Sequence, residues 1–209
     1  MAKQDGDKKN TKVYVNQVKL RGTIMRKFRR DNWMVIGLAT STGEGRKDFP
    51  SVFWFGENVD IVDKAYNIGD HVEIDAEIQT NKEYRSQTVV GIDINDTKRE
   101  IEEKMGIEGV GRFAGDENEV LLKGDLLKIY TPLSSGNKFC IATIHQRIKN
   151  KTYYPQVMLF GRQKDRIEEL EEGSPVCIIG HVQTQKRKVD KKTRYHEAIV
   201  GHYIVSSEE

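Results

Sequence analysis

Phe49, Ser51, Phe53 and Phe55 occupy alternate positions of one apolar stretch, and Tyr154, Gln156, Met158 and Phe160 repeat the arrangement further along the chain. In an extended strand successive side chains point to opposite faces. Each set therefore shares one face, while Pro50, Val52 and Trp54, and likewise Pro155, Val157 and Leu159, take the other. The second kind of face is wholly apolar and suits a core. The first mixes rings with polar groups, which a core does not favour. Rings left in solvent can stack on unpaired bases at about 1–3 kcal/mol each, while neighbouring cations track the phosphates. The plainer alternative is that Phe53 and Phe55 plug the end of a barrel.

Cations lie where such a platform needs them. Arg26-Lys27-Phe28-Arg29-Arg30 runs into Trp33, Asn81-Lys82-Glu83-Tyr84-Arg85 is short, and Lys186 to Arg194 is longer and strongly basic. The candidate stacking residues are Trp33, Phe49, Phe53, Phe55, Tyr84, Tyr154 and Phe160. The candidate phosphate contacts are Lys19, Arg21, Arg26, Lys27, Arg29, Arg30, Arg46, Arg85, Lys123, Arg147, Lys149, Lys186, Arg187, Lys188 and Arg194. With 34 basic and 32 acidic residues the net charge is only +2. The acids gather elsewhere, at Glu57, Asp60 and Asp63 and from Asp165 to Glu172, so a near-neutral total can hide faces of opposite sign. A charge run is usually a solvated face. What favours a binding surface is that the basic runs recur in loops beside the aromatic stretch, and affinity from it would fall steeply with salt.

Other chemistries find little support. His71, His145, His181, His196 and His202 are scattered through strand-like runs, and no nucleophile elbow or paired-carboxylate motif appears. No catalytic residue, metal ligand or cofactor is assigned. Cys140 and Cys177 sit in apolar runs and read as small buried hydrophobes. No stretch approaches the roughly 18 apolar residues of a membrane span, and the polar start lacks a signal peptide's apolar segment. A cytoplasmic protein is expected.

The elements that would position these residues come in two copies. Asn16-Gln17-Val18-Lys19-Leu20-Arg21-Gly22 matches Asn118-Glu119-Val120-Leu121-Leu122-Lys123-Gly124; Val52 to Gly56 matches Val157 to Gly161; Val89 to Ile94 matches Ile199 to Ile204. Anchors in one order at one spacing mean a duplicated module. Period-two alternation predicts strands near 13–25, 33–41, 49–56, 71–80 and 86–94, then near 118–130, 137–147, 153–161, 175–186 and 194–205. One short helix falls between the third and fourth strand of each half, with Gly69 and Gly173 as its C-terminal caps. Five strands with that helix is the order of an OB-fold barrel, though other small barrels share the pattern. The expected architecture is all-β with one short helix per domain: two tandem five-stranded OB-fold barrels. The boundaries are a disordered basic arm over 1–11, a first domain over 12–95, a linker with a short helix over 96–117, a second domain over 118–205 and an acidic tail over 206–209. Gly109 to Gly115 superficially resembles a phosphate loop but lacks the lysine-serine ending, so it reads as linker.

These residues resemble the bacterial and phage single-stranded DNA-binding protein family over most of 16–94 and 118–204. The likeness rests on the Asn-x-Val-x-Leu-x-Gly opening of each half, on Leu38-Ala39-Thr40-Ser41 with a weaker copy at Ile141-Ala142-Thr143, and on Val157-Met158-Leu159-Phe160-Gly161 followed by Gly173-Ser174-Pro175-Val176. The resemblance implies an OB-fold that coats unpaired DNA without catalysis, with third-strand stacking rings at Phe49 and Phe55 and at Tyr154 and Phe160. Two family tryptophans have no match here, the fourth-strand one falling near Glu83 and Arg187, with Tyr84 adjacent. The ending Ser206-Ser207-Glu208-Glu209 lacks the family's acidic-hydrophobic tip, which argues against recruitment of replication enzymes by that route. With two domains in one chain, the resemblance implies either a homodimer of four OB domains or a monomer.

The expectation is a non-enzymatic, sequence-tolerant binder of single-stranded DNA acting in replication, recombination or repair, in a bacterial cell or phage-infected host near the nucleoid. Two alternatives stay open: an OB-fold assembly protein of a primosome-like complex, and a single-stranded RNA binder, which contacts to the 2′-hydroxyl would distinguish.

Overall fold

The computed structural model describes residues 12–42, 46–81, 86–97, 116–189 and 192–206. The predicted strands are present, and several are longer than expected. The first set is β1 (Val15–Arg29), β2 (Trp33–Thr42), β3 (Arg46–Asp48), β4 (Ser51–Phe55), β5 (His71–Asn81) and β6 (Ser86–Asp96), with α1 (Asn58–Ala65) between β4 and β5. The second is β7 (Glu117–Tyr130), β8 (Phe139–Ile148), β9 (Lys151–Tyr153), β10 (Gln156–Phe160), β11 (Pro175–Val189) and β12 (Lys192–Ser206), with α2 (Gly161–Glu168). The expected third strand begins only at Ser51 in the first half, after a separate short β3, and is split between β9 and β10 in the second. Pro50 and Pro155 interrupt it because proline has no amide hydrogen to give a ladder. Their carbonyls still accept from Leu38 and Ile144 at 2.9 Å.

Each set closes into a barrel. β1 pairs with both β2 and β5, β5 with β6, and β4 with β6 in parallel; β7, β8, β10, β12 and β11 repeat the circuit. One strand can serve two neighbours because a β-bulge between Ile24 and Arg26, and another between Leu126 and Lys128, bends it sharply. Gly22 and Gly124 let the bent strand approach its neighbour: a Cβ there would lie 2.4 Å from the Ala39 carbonyl oxygen and 2.5 Å from that of His145. The cores are largely aliphatic, with Leu20, Ile24, Ile36, Leu38, Ile74 and Ile78 beside Trp54 in the first and Leu122, Leu126, Ile144, Leu159 and Ile178 in the second. Trp54 and Leu159 hold equivalent positions and pack on Gly91 and Gly201.

The barrels are fused edge to edge. β1 and β7 pair antiparallel with Val18 opposite Val120, two equivalent residues, so a local two-fold axis passes between them. Asn16 gives its amide to the Ile78 carbonyl and accepts from the Ile78 amide, both at 2.8 Å; Asn118 does the same with Val182 at 2.8 and 2.9 Å. The opening asparagine thus continues the β1–β5 and β7–β11 ladders beyond their last paired residues with its side chain.

Three sequence readings need correction. Gly69 and Gly173 do have positive φ, but they lie in turns after the helices, where their amides bond the Ile24 and Leu126 carbonyls; α1 is capped at Tyr66 and α2 at Glu169. The second-strand match is displaced: Leu38 faces Ile24 as Ile144 faces Leu126, so Ile144, three residues beyond Ile141, is the true equivalent of Leu38. Cys140 is buried, its thiol pushed up to about 11 by desolvation, whereas Cys177 is only partly buried. The arm over 1–11, nearly all of the expected linker with its short helix, and the last three residues of the tail lie outside the described residues.

Candidate nucleic-acid interface

The bulges decide what each barrel shows to solvent. Val18, Leu20, Gly22 and Ile24 point inward, and counting by twos would carry Arg26 and Phe28 into the core as well. The extra residue reverses this, turning Arg26 and Phe28 outward beside β2 and β4. Lys27 turns the other way, donating to the carbonyls of Asp63 and Tyr66 in and after α1, at 2.7 and 2.6 Å.

The outward face of the first barrel is built in rows across β1, β2 and β4: Phe28–Val35–Phe53, Arg26–Gly37–Ser51, and Trp33–Phe55. Its rings form a continuous ladder, with centroids 5.5 Å apart from Phe28 to Trp33, 6.1 Å from Trp33 to Phe53 and 6.3 Å from Phe53 to Phe55. The last two pairs are stacked, with planes 28° and 15° apart. Phe28 and Phe55 remain 49% and 50% exposed, and Phe53 between them is half-buried. Arg30 places its guanidinium 5.3 Å above the Phe28 ring, at cation–π distance.

The second barrel repeats the rows as Tyr130–Ile141–Met158, Lys128–Thr143–Gln156 and Phe139–Phe160. Phe139 and Phe160 are 5.4 Å apart, Tyr130 is 58% exposed and Phe160 43%. Tyr154 packs on His145, 5.6 Å away, at the border of this face. Phe28, Lys128, Tyr130 and Phe139 are candidate interface residues that sequence reasoning missed. The available signal was a lysine at position 128, where the alternation of β7 calls for a core residue.

The same rows enclose different spaces. On the second barrel they floor a groove of about 810 Å³, walled by Thr80, Ser86 and Gln87 of the first. On the first barrel Arg26 lies across Gly37, where an added Cβ would be 2.5 Å from its Nε, and donates to Ser51 Oγ at 2.8 Å. Beneath it Glu197 accepts from the Ser51 amide at 3.2 Å and contacts the Thr184 hydroxyl at 2.9 Å. Its carboxyl is held above the ordinary value, chiefly by desolvation.

The candidate cations are dispersed. Lys19, Arg21 and Lys123 lie on the stretches of β1 and β7 that pair with β5, with each other and with β11, away from the rows across β1, β2 and β4; Arg21 pairs there with Glu73. Lys27 pairs with Asp63, and Arg29 with Asp60 and Asp63 of α1, which holds the Asp63 carboxyl below the ordinary value. These pairs tie the basic run to the acidic helix instead of setting the two charges on separate faces. Arg147 and Lys149 are exposed at the β8–β9 turn, and Lys186 is exposed on β11. Phe49 is exposed just before β4, its carbonyl accepting from Thr184 at 2.6 Å. Tyr84 and Arg85, and the side chains of Arg46, Arg187, Lys188 and Arg194, lie outside the described residues.

Three of the histidines, His71, His181 and His202, make contacts within the framework. His71 is buried between Asp116, at 2.8 Å, and Thr97, the described residues on either side of the connector. His181 stacks on His202 and faces Asp48 of β3 at 4.0 Å. Among the described residues no cluster of three or more His, Cys, Asp or Glu could hold a metal ion, and no helix is long and apolar enough to cross a membrane.

No protein-family model matches the chain, and neither does any curated protein. Solved structures do. The crystal structure of wild-type single-stranded DNA binding protein from Thermus aquaticus superposes with a TM-score of 0.62 at 16% identity, covering 94% of each chain. A deletion mutant of that protein gives 0.59 at 18% identity, covering 94% of this chain and 96% of its own. At such identity the likeness is one of fold: this chain carries two tandem OB barrels in the arrangement of the Thermus aquaticus protein.

Proposed function

We propose that the chain binds single-stranded DNA without catalysing a reaction, by stacking bases on its ring faces and neutralising phosphates with the cations around them. The observation that carries the reading is the ladder of Phe28, Trp33, Phe53 and Phe55, continuous, half-exposed and repeated in outline on the second barrel by Tyr130, Phe139 and Phe160. Stacking tolerates any base, so recognition is of unpaired strand rather than of sequence. The fold shared with the Thermus aquaticus single-stranded DNA binding protein supports the same ligand. Replication, recombination and repair are the processes that expose such strands, and a monomer or homodimer in a bacterial or phage-infected cytoplasm is the setting; light scattering gives the assembly. The test is titration of Phe55→Ala/Phe160→Ala with oligo-dT. Loss of a few kcal/mol of affinity is expected at about 1–3 kcal/mol per stacked base, and wild-type affinity would place the ligand elsewhere.

A further inference from the structure

Each ring face is bordered by the last hairpin of the other barrel. Thr80, Ser86 and Gln87 of β5 and β6 line the groove whose floor is Lys128, Tyr130, Thr143 and Gln156. The hairpin is pinned there by Gln87, whose side chain accepts from the Gln156 amide at 2.9 Å and donates to its carbonyl at 3.1 Å, and by Thr80, which accepts from the Tyr154 amide at 3.0 Å. The two-fold-related contacts hold the β11–β12 hairpin on the first barrel: Thr184 donates to the Phe49 carbonyl, and Glu197 accepts from the amide of Ser51, a member of the Arg26–Gly37–Ser51 row. Residues two apart on a strand share a side, and β11 has no irregularity between Thr184 and Lys186. Lys186 therefore stands on the side of β11 that faces the first barrel, and it is exposed.

The first barrel keeps only part of its basic run at the rings, with Arg30 over Phe28 and Arg26 across Gly37. Lys27 and Arg29, which its sequence places beside the rings, are turned to Asp60 and Asp63 of α1. We propose that the two binding faces are crossed: single-stranded DNA on the rings of the first barrel takes a phosphate contact from Lys186 of the second, and DNA on the second is walled by Ser86 and Gln87 of the first. This rests on the binding function proposed above and adds which residues serve which face. The unit of binding is the fused pair, and the hairpin latches are part of the site.

The full-length protein carries its own reporter. Of its two tryptophans Trp54 is buried, whereas Trp33 lies within the first barrel's ladder, so quenching by DNA reads that face. The probe is an oligo-dT of about eight nucleotides, within the roughly 4–16 that one OB-fold covers. Lys186→Ala is expected to weaken the Trp33-detected affinity roughly threefold and make its log–log salt dependence shallower by about 0.7, as for one lost phosphate contact. Lys186→Glu is expected to weaken it further, and Lys64→Ala, on α1, to leave it as in wild type. Wild-type isotherms for both Lys186 variants overturn the crossed site. If those isotherms accompany a loss of binding in Phe55→Ala, the function stands and only the crossing fails. Failure of the wild type to bind oligo-dT at low salt overturns both.

Discussion

Glu197→Gln should stabilise the protein at neutral and alkaline pH. The Thr184 hydroxyl has one hydrogen and two acceptors in reach, the Phe49 carbonyl oxygen at 2.6 Å and a Glu197 oxygen at 2.9 Å. If the hydrogen goes to the nearer one, the second contact is a hydrogen bond only when Glu197 carries a proton. Desolvation favours that proton and raises the carboxyl above its ordinary 4.5; the hydrogen bond from Ser51 and the charge of Arg26 pull the other way. An acid whose folded value is raised contributes stability that is complete below its unfolded value and lost as pH rises through the folded value. The two-fold equivalent of Glu197 is Gln87, which accepts and donates at once. A glutamine at 197 would supply that donor at every pH, gaining one hydrogen bond worth about 0.5–1.5 kcal/mol and sparing the burial of a charge. The opposing loss is attraction to Arg26, which is exposed, so the pair is screened and worth about 0–1 kcal/mol. His181 and Asp48 at the same seam are common to both proteins and cancel. The expected gain is about 1 kcal/mol near pH 8, or about 2–4 °C in Tm for a chain of this size, shrinking towards zero near pH 4. Thermal melts of both proteins across that range test it. Destabilisation at pH 8, or a difference that does not shrink on acidification, would refute the hydroxyl count.

Tyr130→Ala, at a ring found only in the structure, should cost about 1–3 kcal/mol of oligo-dT affinity by fluorescence titration. Arg30→Ala should weaken binding more than Arg21→Ala, because Arg30 sits over the Phe28 ring and Arg21 pairs with Glu73 away from the rows across β1, β2 and β4; salt-dependent titrations of the two give the order. Gly91→Ala should destabilise by about 1–3 kcal/mol through overpacking, since its Cβ would fall 2.3 Å from the Trp54 ring; urea unfolding measures this. Asn118→Ala leaves the buried Val182 amide and carbonyl without their partners and should cost about 1–3 kcal/mol for each, again by urea unfolding.

The repeat, the strand order and the inward set of Val52 and Trp54 were legible because alternation and internal similarity are local signals. The bulges were not. One inserted residue at Met25 or Leu127 inverts every later side chain, so Lys27, a candidate phosphate contact by its charge run, points to α1, and Tyr130, at a position where strict alternation calls for core, points to solvent. Charge was harder still, since the pairing of Arg29 with Asp60 spans 31 residues and depends on where α1 packs. The crossed hairpins were out of reach for the same reason: Gln87 and Gln156 are 69 residues apart, and only the pairing of β1 with β7 brings them together.

The dyad between Val18 and Val120 also constrains any polymer with a direction. Nucleic acid runs 5′ to 3′, and a two-fold rotation reverses that sense for an observer on the far barrel. A strand that enters both faces with the same polarity cannot cross the molecule in a straight line; it has to loop back. Linker length between two occupied segments, more than total length, should then decide when one oligonucleotide can satisfy both barrels.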